Sequence, residues 1–409
     1  MHSMHFFHSD YAMGMQIRLC HFYDNGMIRK WICKVSTFNS HLGPRNYRTR
    51  QTKTGSSRQL DQIALLIGLR SIGHPVTDSL SDGLERVIQH FSPSAADLSR
   101  YLMQAKLAQF CHDSSDYLKR TGLHEVLQLQ QALRALATFR RRSLSPVIAA
   151  YHRQDEEWLI YKGDEYVQRF ANNPHSRCPT DLDLLVRPEA LATHARLLNS
   201  LGFAQQRIEQ ALNPSTGSLL CQPWEGSECG AIAWNGNSPR AFSLILAAPE
   251  LEIHRELLSR HTAVFSSGRP YVVSYIDIGF SVHPRIPPKL VWANRPPASG
   301  AGGVNAELLL LALAIELWER RTAHVQQSLY FMLDALRIWL HGSINEPGLW
   351  SLARAADSEA ALRYGMRVLG QLLPMGKIGI ADTASAQSPL LDFLEGLNTH
   401  PPLRKGKSA

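Results

Sequence analysis

Apolar residues change their spacing several times along this chain. From Leu60 to Phe139 they recur at helical intervals, as in Leu98, Tyr101, Leu102 and Ala105, or Val126, Leu127, Leu133 and Leu136. Such spacing lays them along one stripe of a helix. Breaks at Gly73-His74-Pro75 and Ser92-Pro93-Ser94 divide the stretch into a small helical bundle, with a serine placed to cap the next helix. After Pro146 the pattern shortens: a helix to about residue 154, then the apolar run Trp158–Tyr161, read as a strand that ends in the turn Lys162-Gly163. A short helix is expected over 164–170, a loop over 171–179, a strand over 180–186 and a helix over 188–201. Pro188 suits the first turn of that last helix and Gly202 its C-terminal cap. Residues 204–240 are loop-rich, and further strands are expected over 242–246, 251–254 and 271–280. Beyond a Pro/Gly-rich linker at 296–303, helical periodicity returns over 306–340 and 349–373.

The elements add up to an α+β chain: a small mixed sheet with flanking helices, set between N-terminal and C-terminal helical segments. The expected divisions are an extension over 1–57, a helical segment over 58–145, a core over 146–295, a second helical segment over 304–375 and a tail over 376–409. A chain of 409 residues has ample length for a buried core.

Composition narrows the class. Residues 1–57 lack a periodic apolar face and are rich in Arg, Ser, Thr, Asn and His, the character of a poorly ordered basic extension. The start of the chain has no charged stretch leading into an apolar run, so it does not read as a secretory signal. The most apolar run, 308–318, contains Glu316 and is too short to span a bilayer, so no membrane partner is expected. Six cysteines show no paired spacing, which indicates neither a zinc site nor a disulfide framework and suits a cytoplasmic protein. The net charge of +8 is local, gathered at Arg45, Arg48, Arg50, Lys53 and Arg58, at Arg140 to Arg142, and at Arg404, Lys405 and Lys407. Such clusters are compatible with a polyanion, but nothing in the pattern singles out a nucleic acid.

Chemistry concentrates in Thr180-Asp181-Leu182-Asp183-Leu184-Leu185-Val186. Period two places Asp181 and Asp183 on one face of a strand and Leu182 and Leu184 on the other. Their α-carbons stand about 7 Å apart, so the carboxylates can converge on metal ions roughly 3.5–4 Å apart, as in-line phosphoryl transfer requires. Upstream, Lys162-Gly163 closes one strand and opens a helix, where free N–H groups and an ammonium suit a phosphate. Arg177, in the loop before the acids, offers a planar fork for the same purpose.

In these pieces the chain resembles the uncharacterised nucleotidyltransferases of the polymerase-β superfamily, relatives of abortive-infection toxins. The matching stretch is Leu159-Ile160-Tyr161-Lys162-Gly163, then Arg177-Cys178-Pro179 followed by Asp181-Leu182-Asp183-Leu184-Leu185-Val186, then a helix closing at Leu201-Gly202-Phe203. The resemblance implies a polymerase-β-like core that moves a nucleoside monophosphate from an NTP to an acceptor, with Mg²⁺ or Mn²⁺ held by Asp181 and Asp183. Lys162, Gly163 and Arg177 would hold the triphosphate. The family pattern continues with an acid two residues before a histidine, reproduced by Glu252-Ile253-His254, so Glu252 is the expected third carboxylate and catalytic base, with Asp277 as its rival. His324 and Asp334 lie where the family's C-terminal helices fall. The acceptor stays open among small molecule, peptide, protein and RNA. Asp164 departs from the small residue usual after the glycine, and the alternative reading is an inactive nucleotide- or RNA-binding protein that retains the fold.

Overall fold

In the computed structural model, residues 18–24, 27–33, 54–73, 86–108, 115–120, 122–154, 156–170, 181–209, 220–223, 234–235, 238–239, 241–258, 263–266, 269–295, 303–372 and 388–399 are described. The chain divides into two compact units, Met1–Thr54 and Gly55–Ala409. In the first, β1 (Arg18–Asp24) and β2 (Met27–Cys33) form an antiparallel ladder, where the apolar pattern gave no expected element.

Helices then follow: α1 (Thr54–Ser71), whose first residue closes the first unit, α2 (Ala95–Gln104), α3 (Ser115–Arg120) and α4 (His124–Tyr151). Ser94 caps α2 as expected, its hydroxyl accepting the Asp97 N–H at 3.1 Å and so satisfying one of the orphan donors of a helix start. The sequence pattern suggested a new element after Pro146, but α4 runs through it without a break. Pro146 is exposed, so it removes one ladder donor from the solvent side while Leu144, Val147 and Tyr151 keep the buried stripe continuous.

Next come β3 (Trp158–Tyr161), α5 (Gly163–Phe170), β4 (Asp181–Val186) and α6 (Leu191–Ser200). The helix expected over 188–201 begins as a single 3₁₀ turn, Pro188–Ala190, and is closed by Gly202 at φ 85°, a backbone angle natural to glycine. Two short ladders follow: β5 (Gln206–Glu209) with β6 (Leu220–Pro223), and β7 (Trp234–Asn235) with β8 (Ser238–Pro239). The chain then forms β9 (Phe242–Ala247), a 3₁₀ turn (Pro249–His254), α7 (Arg255–Leu258), β10 (Ala263–Ser266) and the long β11 (Arg269–Gly279). After α8 (Pro288–Ala293) the C-terminal helices are α9 (Ala306–Glu319), α10 (Val325–His341), α11 (Glu346–Ala355), α12 (Glu359–Gly370) and α13 (Pro389–Thr399). The stretch read as one helical run over 306–340 is thus two helices. α9 is apolar nearly all round, as a helix at the centre of a core must be. It approaches α12 so closely that a Cβ on Gly365 would stand 2.8 Å from the Ala314 Cβ.

The main sheet is mixed and has five strands. β4 lies between antiparallel β3 and parallel β11, and β9 and β10 both run antiparallel to β11. This is the expected α+β architecture. Its two faces meet different neighbours. Ile160, Leu182, Leu184, Val186, Ile276 and Ile278 pack on Leu144, Val147 and Tyr151 of α4 and on Leu191 and Leu198 of α6. On the other face, Leu159, Tyr161 and Leu185 join a cluster that also holds residues of α1, α2, the start of α4 and α9 through α13. The two helical segments, far apart in sequence, therefore share one core against one face of the sheet.

Candidate metal centre and nucleotide site

The site is built by register. β3 pairs Tyr161 with Asp183, and β11 pairs Asp277 with Asp183, so the three side chains form one row across the sheet, all on the same face. Asp181, two residues before Asp183, stands on that face opposite Tyr275. The outcome is a cluster in which one carboxylate oxygen from each of Asp181, Asp183 and Asp277 lies within 4.8 Å of the others. Three hard oxygen donors at that spacing fit Mg²⁺ or Mn²⁺, which are bound through carboxylates rather than sulfur or imidazole.

Crowding shows in the acid strengths. Burial, with help from the Asp181 and Asp277 charges and against the pull of Lys162, pushes the Asp183 carboxyl up to about 7. Burial and the Asp181 charge push Asp277 up to about 6. Both carboxyls thus bind protons more tightly than an ordinary aspartate, even with a cation of the chain beside them. That cation is Lys162, whose Nζ donates to Asp183 Oδ1 at 3.1 Å. Burial opposes the lysine charge, but Asp183, Tyr161 and Asp181 outweigh it and hold the ammonium well above its usual range.

Lys162 sits at the bend between β3 and α5, with φ 57°, and its carbonyl accepts the Tyr166 N–H at 2.9 Å, the first tie of the new helix. Gly163 opens α5, and Asp164 follows within its first turn, where a negative charge is favoured. The neighbouring Tyr161 is buried, and its ring centroid stands 4.8 Å from the ammonium. The tyrosine fits because β11 ends in glycine: a Cβ on Gly279 would stand 3.1 Å from the Tyr161 hydroxyl oxygen and 3.3 Å from Leu185 Cδ2. Beyond that glycine, Glu319 at the end of α9 accepts from Arg285 Nε at 3.2 Å and lies 3.6 Å from His283 Nε2, which ties the exit of β11 to the C-terminal helices.

The structure redistributes the expected residues. Asp181, Asp183 and Lys162 come together, and Arg177 lies outside the described residues. Glu252 does not join them. Residues 251–254, expected as a strand, form part of the 3₁₀ turn that starts at Pro249. A proline there lacks the N–H a central ladder needs, and the turn instead buries Leu251 against Leu136, Phe139 and Val272. On a helical turn, residues two apart do not share a face, so the acid-x-histidine spacing loses its meaning and Glu252 is left exposed. Among the described residues, the acidic group able to hold a metal contains Asp277 in its place. His324 is the residue before α10 and interacts with the Asp61 charge. Asp334 is fully buried 3.7 Å from Arg337 within α10. Neither belongs to that group. The signal for Asp277 was present in Ile276-Asp277-Ile278, an acid alternating with apolar residues just as Asp181 and Asp183 do.

A mixed sheet here brings three carboxylates together beside a lysine at a strand-to-helix bend. The particular family is shown by sequence: the chain belongs to a family of uncharacterised nucleotidyltransferases, which matches residues 97–374. That span takes in helices on both sides of the sheet, so the family unit comprises more than the acid-bearing core. No curated protein and no solved structure matches the chain. Among the described residues, no helix is long and apolar enough to cross a membrane.

Proposed function

We propose that this chain transfers a nucleoside monophosphate from an NTP to an acceptor, with release of pyrophosphate, at a metal centre formed by Asp181, Asp183 and Asp277. The observation that carries the reading is the convergence of these three carboxylates from adjacent parallel strands to within 4.8 Å. A site of polymerase-β type needs the third acid on the strand beside the Asp-x-Asp strand, and the pairing of Asp277 with Asp183 supports this reading. Bound Mg²⁺ or Mn²⁺ would neutralise the phosphates and orient the attacking and leaving oxygens. Asp277, replacing Glu252 in this role, takes the proton of the acceptor hydroxyl. Lys162, Gly163 and Arg177 hold the triphosphate.

The test is incubation of the pure protein with each labelled NTP, Mg²⁺ or Mn²⁺ and fractionated cell extract, following both the label and pyrophosphate. Metal-dependent pyrophosphate release, with label passing to one fraction, is the expected result. Nucleotide binding without release under any of these conditions would replace the transferase with a non-catalytic nucleotide-binding protein of the same fold.

A further inference from the structure

The central carboxylate of this site already faces a cation of the chain itself. The Lys162 ammonium stands 3.1 Å from Asp183 Oδ1, lies against the Tyr161 ring at 4.8 Å from its centroid, and meets the Tyr161 hydroxyl. Asp183 is the central member of the acid row and its side chain is 5% exposed, so its oxygens have few other partners to turn to. A divalent ion bound to the cluster needs those same oxygens, and it repels an ammonium a hydrogen-bond length away from them. The lysine side chain is 47% exposed, which leaves it a path outward.

We propose that Lys162 is an internal counter-cation of the carboxylate cluster: a divalent ion displaces it from Asp183, and the triphosphate receives the displaced ammonium. Metal and nucleotide then bind cooperatively through this one side chain, each removing a cost that the other would face alone. The inference rests on the metal-centre reading above and adds a sign to it. A lysine that served only the nucleotide would have no effect on metal binding by itself. A lysine that pairs with Asp183 opposes it. By reciprocity, whatever factor the metal adds to nucleotide affinity through Lys162, the nucleotide adds to metal affinity.

The experiment is titration of the full chain with Mn²⁺ alone, reading free Mn²⁺ by electron paramagnetic resonance, for the unsubstituted protein and for Lys162→Gly, Lys162→Met and Lys162→Arg. Glycine suits the φ of 57° at this position, and arginine keeps the charge, so a folded variant is available on each side of the comparison. The expected result is tighter Mn²⁺ binding, by about tenfold, in the glycine and methionine variants and near-unchanged binding in the arginine variant. Binding of a fluorescent NTP analogue should become weaker in the same two variants and less responsive to Mn²⁺. Unchanged or weaker Mn²⁺ affinity without the lysine charge overturns the proposal while leaving the metal centre standing. Asp277→Asn separates the two readings: if it leaves Mn²⁺ affinity of the unsubstituted chain unaltered, the metal centre itself is wrong and the lysine's role falls with it.

Discussion

The two faces of β4 use alternate residues of one six-residue strand for opposite ends. Leu182, Leu184 and Val186 are buried against α4 and α6, a dry contact of a kind worth about 1.5–3 kcal/mol per large side chain. Asp181 and Asp183, interleaved with them, crowd carboxylates near one another and near Asp277, an arrangement whose cost the Lys162 ammonium offsets only in part. The apolar face holds the strand so firmly that the acidic face can carry unfavourable electrostatics. The cost is recovered when a ligand binds the folded chain alone.

The sharpest break of this comparison is functional. Asp181→Asn, Asp183→Asn and Asp277→Asn should each reduce NTP turnover on the order of a hundredfold or more, measured as pyrophosphate release. Each metal-free variant should melt at or slightly above the parent temperature, because one of the crowded charges is gone. Full activity in all three would move the site elsewhere. Leu184→Ala, one residue away on the other face, should do the reverse: a loss of about 2–5 kcal/mol in urea unfolding, with turnover per folded molecule near the parent value.

A smaller effect is the pH dependence of the metal-free protein, which should carry a slope of opposite sign from each face. Asp183 is raised from 3.8 to about 7 in the folded chain, so the unfolded chain ionises first. Its contribution is fully present below about pH 4 and is lost as pH rises through 7. His194 of α6, buried on the apolar side and stacked on Tyr151 with 5.3 Å between ring centroids, is lowered by burial from 6.5 to about 4. The unfolded chain therefore takes up its proton first, and stability is lost as pH falls from 6.5 through 4. Urea midpoints from pH 4 to 8 should show Asp183→Asn with less loss at the neutral end and His194→Phe with less loss at the acid end. Parallel profiles for the three proteins would refute both assignments.

The least effect is expected outside the row altogether. Glu252→Gln should change turnover by less than about twofold, since the 3₁₀ turn leaves that side chain exposed while Leu251 does the packing. A large loss in the same pyrophosphate assay would bring Glu252 back as a site residue.

Much of this was readable from local pattern. The alternation in Asp181 to Val186, the bend at Lys162-Gly163 and the helix bracketed by Pro188 and Gly202 each rest on chemistry within a few residues, and the structure contains all three. The passage of α4 through Pro146 was harder to see, because whether a helix survives a proline depends on what packs on the stripe beside it. The division of 306–340 into α9 and α10 was equally hidden: apolar residues on every side mark a buried helix, and leave the position of its end unmarked.

The amino-acid sequence by itself determined which residues could bear the chemistry and which face of its own strand each would take, because side-chain direction along a strand follows from the pleat alone. It also determined family membership through residues 97–374. Only the tertiary structure decided which third acid stands beside Asp183. Glu252 and Asp277 each offered a carboxylate at a plausible spacing, but strand adjacency is a long-range property. β11 enters the sheet parallel to β4 with Asp277 in register, whereas Pro249 and the burial of Leu251 turn the Glu252 segment into a helical corner. The same register puts Gly279 in Leu185's row, two residues along from the row of Tyr161, Asp183 and Asp277, where its lack of a side chain leaves room for the Tyr161 hydroxyl.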